Sequence, residues 1–201
     1  MIVVAFIANN QIMKYAGNAS LSVYGMLSTV GSLFMGIYTG VGQAVQPISS
    51  VNYGAGKKDV CRRVFRLGLI CAVGFGLLFM GMCELLPMQV TGVFMKMTAD
   101  VKQVAGSIVR IYSLCFLPLA VSIYISLYWQ SVGEEIAAFI ISLLRGLVLN
   151  SILLVLLPFV LGANGIWWAV TAAEYAVAMI AIGRYVLEKD QTDNIRFGED
   201  L

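Results

Sequence analysis

Arg145 and Glu174 each stand inside a long apolar run. A charge at the centre of a bilayer costs at least about 2.5 kcal/mol. A carboxylate held there can carry a proton or a small cation, and a guanidinium can hold an anionic group. The plainer alternative is a fixed internal ion pair. The two runs are antiparallel neighbours joined by a Gly/Asn turn at 161–165. Counted from that turn, Arg145 lies about seven residues deeper than Glu174, roughly 10 Å at the helical rise. Both a direct pair and a water-linked pair are open at that separation.

Uncharged polar groups recur in the same runs. They are Asn9, Asn10 and Gln11, then Gln43 and Gln46, then Tyr124, Tyr128, Trp129 and Gln130, then Asn150. Each must face protein or water, because an unsatisfied polar group in lipid costs several kcal/mol. Asn9 and Asn10 are about 100° apart on a helix, so at least one faces a neighbouring helix or a cavity. Aromatic rings with amides suit a path for a flat organic cation. Interhelical hydrogen bonding is the plainer reading of the same residues. Trp167 and Trp168 read as an outer aromatic belt. Glu84, beside Pro87, reads as an interfacial carboxylate.

Other chemistry is poorly supported. The chain has no histidine, so the commonest general base and zinc ligand are missing. Cys61, Cys71, Cys83 and Cys115 show no CxxC spacing and read as small buried hydrophobes. No P-loop, nucleophile elbow, metal-ligand spacing or dinucleotide fingerprint is present. An enzyme, a cofactor and a metal centre are not expected. A net charge of +2 does not suggest nucleic acid.

The elements that position these residues follow from composition. The chain is 60% hydrophobic and 12% charged, against roughly 25% charged in soluble domains. Lipid is the expected solvent. The apolar runs predict six membrane helices over 1–14, 20–46, 64–86, 103–129, 136–160 and 165–187. The first is shorter than the roughly 20 residues a span needs, so it reads as truncated. The basic loop lies over 51–63, and a connection over 89–101 has room for a short interfacial helix. Pro118 predicts a bend inside the fourth span. Residues 188–201 read as a polar, frayed tail.

Lys57, Lys58, Arg62, Arg63 and Arg66 follow the second span, and Arg184, Lys189 and Arg196 close the sixth. An even number of spans puts both groups on one side. The positive-inside rule places that side in the cytoplasm.

The residues at this point resemble a known family, the multidrug and toxic compound extrusion (MATE) transporters. The carrying segment is Gly42 to Ile48, with Gln46 and Pro47, followed by Asn52, Tyr53, Gly54, Ala55, Gly56, Lys57 and Lys58. Support comes from Tyr15 to Asn18, Gln130 to Gly133, Ser142 to Arg145 and Gly162 to Trp167. The resemblance implies an all-α integral membrane fold, one lobe of a two-lobe, twelve-helix transporter. The form of the Gln46 to Lys58 segment looks like the C-terminal lobe, so residues 1–187 would be that lobe with its first helix truncated.

The resemblance further implies a secondary antiporter in the cell inner (plasma) membrane. It would export cationic or amphipathic organic compounds in exchange for protons or sodium, by rocking of two lobes. Its partners would be the bilayer, small organic cations or drugs, and an N-terminal lobe or a second copy in the same orientation. Some family members use acidic residues in the first and fourth spans of this lobe. Here Asn9 and Asn10 occupy the first span, and the interior of the fourth has no carboxylate. Glu174 is left as the deep acid for coupling, with Arg145 beside it. Two alternatives remain: a flippase for lipid-linked precursors, which calls for several cavity cations, and a non-transporting membrane fragment or assembly subunit.

Overall fold

The computed structural model describes the backbone of residues 2–199 and the side chains of residues 3–187. The described backbone is helical throughout, apart from short turns. Lipid leaves little choice, since a helix satisfies all its backbone groups within one segment.

Helices α1 (Ile2–Tyr15) and α2 (Gly17–Gly54) form the first hairpin, and α3 (Lys58–Leu85) returns alongside α2. The short α4 (Pro87–Phe94) lies in the connection where the sequence left room for it, with Pro87 at its first turn. Then come α5 (Ala99–Ser113), α6 (Phe116–Ser131) and α7 (Glu135–Leu143). A π-helical turn over Leu144–Val148 leads into α8 (Leu149–Leu161), and α9 (Ala163–Glu199) closes the chain. Five of the resulting segments are long and apolar enough to cross a membrane: 17–54, 58–85, 99–131, 135–161 and 163–187. Helix α1, with 14 residues, packs against α2 and α8 in the same bundle.

Some boundaries differ from the sequence reading. Of the loop expected over 51–63, Val51 to Gly54 end α2, which runs on past Gln46 with Pro47 inside the helix, and Lys58 to Arg63 open α3. Only Ala55 to Lys57 turn, and Gly56 takes φ 71°, a conformation that favours glycine. The fourth span breaks at Leu114–Cys115, one turn before Pro118. Pro118 has no N–H to give the Leu114 carbonyl, so the helix opens there. Helix α9 continues through 188–199, where a frayed tail was expected.

Helix α6 is the centre of the bundle. Ala120, Val121, Ile123, Tyr124, Ile125, Tyr128 and Trp129 are all buried, because α2, α3, α7 and α9 surround it. By contrast α3 shows Leu67, Ile70, Leu78 and Leu85 on its outer face, which suits a helix facing lipid. At one end of the bundle, Arg184 of α9 meets Glu134 at 3.3 Å and lies over the Trp129 ring at 5.5 Å. The basic turn at Gly56–Lys58 shares that end, since Gln46 of α2 donates to the Leu127 carbonyl of α6 at 3.4 Å.

Candidate functional site

Glu174 lies about three turns into α9 and is 6% exposed. Its register against α5 is set three residues earlier. Thr171 Oγ1 donates to the Ile111 carbonyl at 2.9 Å and to its own helix at Trp167 at 3.2 Å. Helical spacing then brings Glu174 round to the same buried face. Gly165 packs directly against the Leu157 and Pro158 backbone, so α8 and α9 approach closely and Asn150 comes level with the carboxylate.

Asn150 connects the site. Its Nδ2 donates to the Arg145 carbonyl at 2.6 Å, and its side chain is also a hydrogen-bond partner of Glu174. The link depends on the π turn. A π turn widens the helix and leaves a carbonyl short of its usual i+4 partner, and the amide five residues on supplies a donor. Arg145, inside that turn, extends to Ser122 of α6, with Nη1 donating to Oγ at 3.5 Å. Arg145 and Glu174 attract one another electrostatically. Among the described residues, however, no ion pair within 4.0 Å joins them. The direct pair that the spacing left open is therefore not formed, and Asn150 stands between the charges.

Glu174 Oε2 is buried and has no hydrogen-bond partner among the described residues. A buried carboxylate oxygen without a donor is strained as an anion and relieved as an acid. One amide, one distant guanidinium and one orphan oxygen form a pocket suited to taking and releasing a proton. Among the described residues no group of three or more Cys, Asp or Glu side chains is placed to hold a metal ion.

The other candidate residues are placed elsewhere. Tyr124 is fully buried, and its hydroxyl donates to the Phe65 carbonyl at 2.9 Å. Tyr128 is packed against the Phe65 ring at 4.6 Å. Asn9, Asn10, Gln43 and Gln130 lie on the outer surface of the bundle. In the first helix it is Gln11 that turns inward, with Oε1 buried. Trp168 is 42% exposed, but Trp167 is 2% exposed and packs on Tyr24 at 6.3 Å. Trp167 is thus a core residue rather than part of an aromatic belt, because its face of α9 turns toward α2. Glu84 accepts a hydrogen bond from Ser113 at 3.0 Å. Asn52, Tyr53 and Gly54 close α2 and Ala55 and Gly56 form the turn after it, at the far end of α3 from α4.

Ser122 and Ser126 were not singled out from sequence, and Ser142 entered only as part of the Ser142 to Arg145 segment. Ser126 and Ser142 share a hydrogen bond at 3.2 Å, and Ser126 also donates to the Ala138 carbonyl at 3.3 Å. The available signal was the i,i+4 spacing of Ser122 and Ser126 in an apolar span, which puts both hydroxyls on one face.

The geometry can be set beside known proteins. No curated protein sequence matches the chain. Solved structures match its fold closely. An outward-facing multidrug resistance MATE family transporter of the MOP superfamily superposes with a TM-score of 0.84 at 18% identity, covering 94% of this chain and 43% of that one. A MOP superfamily transporter from Pyrococcus furiosus Vc1, described as having a binding pocket of reverse polarity that suggests a different function, gives 0.83 at 18% identity, with 94% and 43% covered. A MATE structure in complex with MaL6 gives 0.81 at 18% identity, with 96% and 44% covered. The chain therefore spans less than half the length of these transporters. The profile of the MatE family matches residues 1–156, well over half of the sequence. A bundle of membrane-length helices with this fold and this sequence match belongs to the MatE family of transporters.

Proposed function

We propose that the chain is the C-terminal lobe of a secondary antiporter that exports cationic or amphipathic organic molecules in exchange for protons. The observation that carries this reading is Glu174: a buried carboxylate on a span, with one oxygen unpartnered. Arg145 stands on the neighbouring span without a direct ion pair to it among the described residues. A proton suits this donor set better than a bare sodium ion, which needs several oxygen ligands and is repelled by the guanidinium. The basic turn after α2 and Arg184 at the end of the sixth span then face the cytoplasm of a cell's plasma membrane. The partner would be an N-terminal six-helix lobe, or a second copy of this one.

The test is efflux of ethidium from vesicles bearing the complete natural polypeptide, driven by an imposed pH gradient. Glu174→Gln is expected to remove the response to the gradient. Efflux that keeps its normal pH dependence in Glu174→Gln eliminates the coupling role. A second reading, flipping of lipid-linked precursors, draws on one observation: Arg145 has no carboxylate within 4.0 Å among the described residues. Transbilayer movement of a fluorescent lipid pyrophosphate that Arg145→Gln abolishes would favour that reading instead.

A further inference from the structure

The outer face of α3 has no part in the site around Glu174. Cys61, Phe65, Gly68, Ala72 and Gly76 form the buried face of that helix, against α2 and α6. Arg63, Arg66, Leu67 and Ile70 stand exposed on the other side, the last two at 65% and 67%. Their spacing of i, i+3, i+4 and i+7 makes them one patch. The two arginines thus close the same stripe whose apolar side chains suit lipid. Depth agrees with this placement. From Leu67 to Leu85 the helix carries one charge, Glu84, which accepts from Ser113 near the far end. That stretch measures roughly 28 Å at the helical rise, close to the ~30 Å hydrocarbon core of a bilayer. Arg66 and Arg63 then fall in the headgroup layer, with Lys58 and Lys57 beyond them.

The patch is also positive and unpaired. Lys57, Lys58, Arg63 and Arg66 are exposed, and among the described residues no carboxylate lies within 4.0 Å of any of them. Asp59 is the only acid between Val51 and Cys83 in the sequence, and it too is exposed. The positive end of the α3 dipole adds to the charge.

We propose that this face holds the headgroup of an anionic phospholipid, with its phosphate between Arg63 and Arg66 and an acyl chain along Leu67, Ile70 and Gly74. A guanidinium presents its donors in a planar fork that matches phosphate oxygens. Gly74 continues the stripe without a side chain and is exposed, which leaves a shallow groove between Ile70 and Leu78. A choline headgroup brings its own cation, which the neighbouring lysines repel, so charge selects the lipid. The proposal needs only that α3 faces lipid and is independent of the role of Glu174.

The test uses the complete natural polypeptide in phosphatidylcholine vesicles. Trace phosphatidylglycerol with a photoreactive group near the head of one acyl chain is added, and cross-linked peptides are located by mass spectrometry. The parent is expected to label at Leu67 to Gly74, well above the yield of a phosphatidylcholine probe of the same design. Arg63→Gln with Arg66→Gln is expected to cut that yield about 30-fold, counting each arginine as a basic residue beside an anionic leaflet. Arg63→Lys with Arg66→Lys keeps the charge and is expected to retain most of the labelling. Lys14→Gln, at the other end of the bundle, is expected to leave it unchanged. Equal yields from the two probes in the parent overturn the proposal, and so does a full yield in the glutamine pair. An α3 that takes up neither probe, the result expected if an N-terminal lobe covers this face, overturns it as well.

Discussion

The cluster around Phe65 and the pocket around Glu174 draw on some of the same helices, α6 and α9 in both, but they treat polar groups differently. Near Phe65, the Tyr124 hydroxyl finds a backbone carbonyl at 2.9 Å, and the Phe65 ring stacks on Tyr185 at 4.2 Å. Gly68 lets the Tyr124 hydroxyl come so close that a Cβ there would overlap it. Near Glu174, the helix is opened by a π turn, one amide serves two acceptors, and one carboxylate oxygen is left over. Buried hydrogen-bonding groups that are matched rigidify a protein, and those that are not store energy that a ligand or proton can release. The first region reads as a hinge-free anchor and the second as the place where the protein can change state.

Removing Arg145 tests the second region most severely. Arg145→Ala is expected to lower stability by about 3 kcal/mol, because it strands a buried charge, read by thermal unfolding in detergent. Adding Glu174→Gln to that variant is expected to restore most of the loss, since the two residues are coupled. A double variant no more stable than Arg145→Ala would show that Arg145 acts through packing on Ser122 alone.

Gly68→Ala strikes the anchor. The new methyl must displace the Tyr124 ring, with an expected loss of about 2 kcal/mol from overpacking and unaltered proton coupling in the folded fraction. A coupling defect at full stability would erase the distinction between the regions. Tyr124→Phe is the gentler version: about 1 kcal/mol for one hydrogen bond, measured in the same melt. The smallest effect belongs to Arg184→Gln, at the exposed Glu134 pair, expected below about 1 kcal/mol. Its effect should shrink further as salt is raised, and a salt-independent loss would assign it to the Trp129 ring contact instead.

Parts of this arrangement were legible in the sequence. Arg145 and Glu174 declared themselves by standing in apolar runs, and their depth followed from the turn at 161–165. Pro118 marked the broken fourth span, although the break itself falls one turn earlier, at the carbonyl that proline leaves without a donor. The π turn was not legible. It frees the Arg145 carbonyl for the Asn150 amide, a link that no local pattern announces. Trp167 and Trp168 are identical in type and adjacent, so no local rule tells which is buried. The same holds for Asn9, Asn10 and Gln11, of which only the last turns inward.

The sequence by itself determined that the chain is helical, that lipid is its solvent, and where most helices begin and end. These are properties of single segments: an apolar run must close its own backbone hydrogen bonds, and glycine, proline and charge mark where it stops. Only the tertiary structure decided which polar side chains share a pocket, which hydroxyls are spent on backbone carbonyls, and which oxygen is left unpartnered. Those outcomes depend on how far each helix is rotated and shifted against its neighbours. A single residue of slip, such as the π turn introduces, changes them while leaving every local pattern intact.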